Sequence, residues 1–285
     1  MANAAFALLG AINAGLVVRI ARRLKLSRAA ALLGGGFYAV WFGAIGAEVS
    51  VRLEPLGSFA FLCGVLALLS AAGPDAADSH RATSLTRRGV FLAGVAFGVA
   101  ASVKIWWIVA LVVVLAWLLS TGGRRAAMTL VAGAGVAMAA IDGPFFVNAH
   151  TAMWRMVVTD QLRRHAMTGS RAQRIGELST LGPLQKLALP ERIAILVALA
   201  VLALVLACAA WRVRRCRVVV IVAVAQLVVL LVSPIYISYY SGYIAASASI
   251  VVAAAAHHRH VRGSVTPGFA AALITGRGRR VSHGR

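Results

Sequence analysis

The sequence predicts an all-α fold, a polytopic bundle of transmembrane helices, on three observations. The chain has 285 residues, 61% of them hydrophobic and only 13% charged, with a mean hydropathy of +0.85. A soluble domain of this length does not tolerate that balance. The apolar runs recur along the whole chain and are continuous and rich in Ala, Leu and Val, whereas a β-barrel would alternate in period two. Lys and Arg number 29 against eight acids, a formal charge of +21, and they cluster in short loops as topogenic charge does. Nucleic acid is set aside as a partner, because no stacking platform or groove-reading motif accompanies the charge.

Nine apolar windows follow in order, at about 2–18, 29–47, 57–72, 89–103, 105–120, 126–141, 193–210, 218–232 and 243–256. Most fall short of the roughly 20 residues a perpendicular span needs, which predicts local thinning or partial spans. The first begins Met1-Ala2-Asn3-Ala4-Ala5-Phe6, without a basic n-region or cleavage site, so it reads as a span and not a secretory signal. The second carries Gly34-Gly35-Gly36, and the sixth Gly133 and Gly135, small residues that let helices approach closely. The third opens behind Glu54-Pro55, with proline at the first turn and the acid at the positive end of the dipole. The sixth is expected to end at Asp142-Gly143-Pro144, since Gly and Pro both oppose helix continuation. Cys63, Cys208 and Cys216 form neither a CxxC nor a zinc set. His257-His258-Arg259-His260 opens a basic tail, and no metal site is assigned to it. Residues 1–258 thus form one transmembrane unit with an extracytoplasmic loop at about 142–190, and 259–285 a basic, disordered cytoplasmic tail.

Lys104 decides the topology. It is the single charged residue between Gly89 and Gly123, and an ammonium at mid-membrane costs a few kcal/mol or more unless it snorkels or finds an anion. If 89–120 is two short helices meeting at Lys104, one side of the membrane holds 20 of the 29 Lys and Arg. If it is one long helix, the split falls to about 15 against 13 and Lys104 is stranded in lipid. The positive-inside rule favours the hairpin, with Lys104 at its extracytoplasmic apex and the N-terminus outside.

Four polar elements then share the outer side. Arg52 and Glu54 sit at the mouth of the third window, where they read either as a helix-entry signal or as a guanidinium and a carboxylate held at the surface. Lys104 is the second element. The third is the stretch from His150 to Arg164. In helical projection Met153, Trp154, Val157, Val158 and Leu162 cover one half, Arg155, Thr159 and Arg163 the other, and Asp160–Arg164 makes an i,i+4 pair. That describes an interfacial helix resting on lipid, whose arginines also suit a phosphate. The fourth, Ser233–Tyr243, holds four of the five tyrosines, either an aromatic belt or a platform for a sugar ring.

Taken in order, Glu54-Pro55-Leu56, Lys104-Ile105-Trp106, Pro144-Phe145-Phe146 and Val157-Val158-Thr159-Asp160-Gln161-Leu162-Arg163-Arg164 resemble the GT-C membrane glycosyltransferases, most of all actinobacterial members of glycosyltransferase family 87. The likeness runs from about residue 1 to 256. It implies a GT-C-like bundle in the plasma membrane and a sugar, mannose by the resemblance, carried on a polyprenyl phosphate. Transfer would go to an envelope glycan, lipid or protein acceptor at the outer face. It also implies Arg52, Lys104, Arg163 and Arg164 at the donor phosphate, Asp160, Gln161, Tyr239 and Tyr240 at the substrate, and Glu54 as the remaining acid for the acceptor proton. The family's usual aspartate lies in a first outer loop, and the first window here resembles the family's second span or a later one. A longer active chain and a truncated, inactive relative that binds lipid or a partner both stay open, as does a secondary transporter. No cofactor is called for, and a divalent cation is left open.

Overall fold

The computed structural model describes residues 2–72, 85–160, 171–179, 184–233 and 236–274, with no side chain described beyond Arg259. Among them every regular element is helical and none is a strand, as the apolar periodicity requires. The chain begins with α1 (Ala2–Arg23), α2 (Arg28–Val40), α3 (Phe42–Val49) and α4 (Glu54–Ala71). It continues with α5 (Arg87–Val103), a 3₁₀ turn (Ile105–Trp107), α6 (Ile108–Ser120) and α7 (Arg124–Trp154). After a π-type turn (Arg155–Thr159) come α8 (Arg171–Leu178), α9 (Leu189–Arg212), α10 (Arg217–Val232) and α11 (Gly242–Ile274). Six of these helices are long and apolar enough to cross a membrane, or seven if α2 and α3, bent by 48° at Trp41, count as one span. That set is compatible with a multi-pass membrane protein.

Packing follows from small residues at helix contacts. A Cβ on Gly94 would meet the Leu130 carbonyl oxygen, one on Gly98 the Ala134 carbonyl, and one on Gly133 the Phe91 carbonyl. Contacts that rise together along both helices mean α5 and α7 run parallel. The intervening α6 must therefore return, so 89–120 is a hairpin and not one long helix. On its other flank α5 packs against α4 in the opposite sense, with Gly64 against Phe97 and Gly89 against Ala71. Buried polar side chains stitch the remaining helices. Asn13 donates from Nδ2 to the Tyr38 hydroxyl at 3.0 Å and to the Pro55 carbonyl at 2.9 Å, joining α1, α2 and α4. Ser247 donates to Gln226 Oε1 at 2.5 Å across α10 and α11, and Ser27 N–H donates to His257 Nδ1 at 3.2 Å. Such bonds are worth most where water cannot compete for them.

The helices differ in what surrounds them. Most of the apolar stretch Tyr239–Arg259, which α11 supplies from Gly242 on, is buried, whereas almost none of α9 is, and it turns Ile193, Val197, Val201 and Leu204 outward. A continuous apolar face of that length is tolerated only against a non-aqueous surround.

Two sequence expectations are corrected here. α7 does not end at Asp142-Gly143-Pro144; it runs through Pro144, and its one non-helical residue is Ala149 (φ −148°, ψ 44°). Proline removes one backbone donor, a loss that apolar helices absorb, and Asn148 Nδ2 donates to the Pro144 carbonyl at 2.6 Å just before the break. The final helix also passes residue 259, where a disordered tail was expected. Its backbone stays helical to Ile274 through the alanine runs 253–256 and 270–272, strong helix formers. Residues 275–285 lie outside the described residues.

Candidate functional site

The α3–α4 turn sets the first side of the site. Val51 adopts φ +52°, its N–H donates to the Glu48 carbonyl at 3.1 Å, and Arg52 N–H donates to the Ala47 carbonyl at 2.9 Å. This is the left-handed helix stop usually built with glycine. A β-branched residue there is strained by about 1–2 kcal/mol, and strain of this kind gathers at functional turns. The turn projects Arg52 onto the Tyr239 ring, guanidinium carbon 4.4 Å from the centroid. It also delivers Glu54 as the first residue of α4, 2% exposed.

Lys104 breaks the chain between α5 and α6 with extended backbone (φ −160°, ψ 124°). Neither Gly nor Pro makes this break; aromatic packing seals it. Trp107 is wholly buried, its ring 5.5 Å from Phe61 and 4.8 Å from Tyr243. Gly57 on α4 lets the indole approach, since a Cβ there would overlap it. The Tyr243 hydroxyl donates to the Trp106 carbonyl at 2.6 Å. With the turn fixed, the Lys104 ammonium lies 2.5 Å from Glu54 Oε1. It also sits 3.8 Å from the Tyr240 ring centroid and 4.9 Å from that of Trp106. Tyr239 and Tyr240 come from the 3₁₀ turn Ser238–Ser241. That turn reaches the site because Gly242 packs beside the Gly43 carbonyl and the Glu54 Cβ.

The opposite flank of α5 carries a second carboxylate. Ser102, two residues before Lys104, donates from Oγ to Asp142 Oδ2 at 2.7 Å, and Asp142 is half-buried on α7. The α5–α6 turn therefore lies between Glu54 on α4 and Asp142 on α7.

Five of the residues singled out from sequence thus meet at one end of the bundle: Arg52, Glu54, Lys104, Tyr239 and Tyr240. Asp160 instead pairs with Arg155 at 3.7 Å, both side chains well exposed, an arrangement worth about 0–1 kcal/mol. Gln161, Arg163 and Arg164, and with them the Asp160–Arg164 pair, lie outside the described residues. Of the stretch 150–164 expected as an interfacial helix, residues 150–154 are helical and Arg155–Thr159 form a π-type turn, and 161–164 lie outside the described residues. Among the described residues no group of three or more His, Cys, Asp or Glu assembles a metal ligand set.

Sequence reasoning gave no role to Ser102, Asp142, Trp107 or Arg174, and quoted Trp106 and Tyr243 within motifs without a role of their own. The tryptophans had a signal, since two indoles beside a lone lysine in an apolar run mark a packed break. Arg174 had none: it is 7% exposed, and its Nη1 donates to the Leu231 carbonyl at 3.2 Å and to the Ser233 carbonyl, closing the end of α10. Burial pushes the nearby Tyr236 phenol up, and the Glu177 charge adds to it.

Chemically, Arg52, Lys104 and Glu54 sum to one net positive charge, set against the faces of Tyr239, Tyr240 and Trp106. Such a site favours a single anion attached to a group that stacks on tyrosine. Compared with protein-family models, curated proteins and solved structures, the chain finds no match in any of the three.

Proposed function

We propose that this chain is a membrane glycosyltransferase that moves a sugar from a polyprenyl-phosphate donor to a hydroxyl of an envelope glycan, lipid or protein. Mannose is the sugar implied by the GT-C resemblance, and the reaction runs at the extracytoplasmic side of the plasma membrane. The nine-window topology with a GT-C-like bundle belongs to the same proposal. The observation that carries it is the convergence of Lys104 and Arg52 with the Tyr239 and Tyr240 rings at one end of an apolar bundle. A lipid-linked phosphate must be met at the membrane surface by fixed cations, and a leaving phosphate is stabilised by positive charge already in place. In this reading Arg52 and Lys104 hold the phosphate, and the tyrosines stack on the sugar or its carrier. Glu54, buried and engaged by the ammonium, acts as its counter-ion.

The test is turnover of polyprenyl-phosphate mannose by the purified, detergent-solubilised chain, wild type against Lys104→Met made together with Glu54→Gln. Removing both charges leaves the net charge of the site unchanged and strands no unpaired charge in the bundle. The proposal predicts transfer by the wild type and loss of at least 100-fold in the pair. Equal turnover by both would refute the site. One observation favours a second reading, a bundle that binds a lipid phosphate without chemistry: Lys104 already has a carboxylate partner at 2.5 Å. Donor binding without transfer is the outcome that selects it.

A further inference from the structure

The two carboxylates flanking the α5–α6 turn stand in unlike surroundings, and that difference assigns them different work. Glu54 is 2% exposed, and its Oε1 is taken by the Lys104 ammonium. A carboxylate neutralised by a lysine and shut from solvent is a poor proton acceptor for an incoming hydroxyl. Asp142 is half-buried and held by a neutral donor, the Ser102 hydroxyl, on Oδ2 alone. Its Oδ1 has no hydrogen-bond partner among the described residues. A hydroxyl orients a carboxylate without cancelling its charge, which is what a general base requires. Two carboxylates whose environments divide them in this way are a recurrent sign of separate roles.

The other acids among the described residues fit less well. Asp160 faces Arg155 in the open, Glu177 accepts from Gln173 Nε2 at 3.1 Å, and Glu191 is exposed in the first turn of α9. Glu48 lies flat against Gly10 of α1, so closely that a Cβ there would overlap it. Asp142 shares its level with Lys104 because α5 and α7 run parallel and Ser102 bonds across them. The helix continues through Pro144, so Asp142 projects from a rigid interior turn of α7 and not from a loop.

We propose that Asp142 is the catalytic base, with Ser102 its positioning residue; the assignment rests on the transferase reading above. The acceptor O–H gives its proton to Asp142 Oδ1 while the acceptor oxygen bonds to the anomeric carbon. The bond from that carbon to the phosphate oxygen breaks, and its electron pair leaves with the polyprenyl phosphate. Asp142 then returns the proton to solvent.

The experiment measures kcat, donor KM and the pH profile of kcat for the full-length chain and for D142N and S102A, with polyprenyl-phosphate mannose as donor. Asparagine matches aspartate in size and can still accept from Ser102, so D142N tests the base without opening the helix contact. D142N is expected to lose at least 100-fold in kcat, as removal of a general base does, with donor KM within threefold and the acidic limb of the profile abolished. S102A is expected to lose about tenfold in kcat and to keep that limb, because it loosens the carboxylate without removing it. A D142N enzyme within threefold of wild type, or one that keeps the acidic limb, overturns the base and leaves the transferase standing. So does a loss of kcat that disappears at a temperature where D142N and wild type are equally folded. A wild-type chain that transfers no sugar overturns both.

Discussion

The Glu54–Lys104 pair carries a stability prediction that follows from its geometry. At 2.5 Å and an effective dielectric constant near 20, the gross attraction is about 6–7 kcal/mol. Lys104 keeps 22% of its side chain exposed, so screening trims that figure to about 5 kcal/mol. Breaking such a pair leaves an uncompensated charge, whereas removing both charges is close to neutral. Glu54→Gln and Lys104→Met are therefore each expected to cost about 3 kcal/mol, and the double variant about 1 kcal/mol. The difference is a coupling of about 5 kcal/mol, to be read by reversible unfolding in mixed micelles across the double-mutant cycle. Additive single and double variants, with a coupling below about 0.5 kcal/mol, would refute the reasoning and return Lys104 to the unpaired state its sequence context suggests.

Two further predictions test how the site is held. Val51→Gly removes left-handed strain at φ +52° but adds entropy to the unfolded chain. The net effect is stabilisation by about 0.5–1 kcal/mol, and a fall in unfolding midpoint would mean that the turn is not strained. Gly94→Ala drives a Cβ into the Leu130 carbonyl, so overpacking of about 1–3 kcal/mol is expected, and an unchanged midpoint would contradict the parallel packing of α5 on α7.

Much of this architecture is legible in the sequence because hydropathy is a local signal. Each of the nine apolar windows falls on helix, and the hairpin follows from loop charge alone, since a lone lysine inside 35 apolar residues is best accommodated by a turn. The partner of that lysine is not legible. Glu54 lies 50 positions away, and its side chain reaches Lys104 only because Gly57 admits Trp107 and Gly242 admits the tyrosine turn. Asp142 was masked by its neighbours: Gly143 and Pro144 signal a helix end, yet a helix packed among others retains a proline that an isolated one would not. Val51 hid for the opposite reason, because the expected glycine is absent from a turn that needs its backbone angles. Arg174 is one of seven basic residues between 142 and 192, and nothing local in the sequence separates the one that caps α10 from the other six.

Everything proposed for function depends on the Lys104 turn facing away from the cytoplasm. Replacing Cys63, Cys208 and Cys216 with serine and introducing Ile105→Cys or Gly123→Cys places one thiol at either end of α6. A membrane-impermeant maleimide added to intact cells is predicted to label position 105 at once and position 123 only after permeabilisation. Labelling of 123 from outside, with 105 protected until the membrane is opened, would contradict the account at its root.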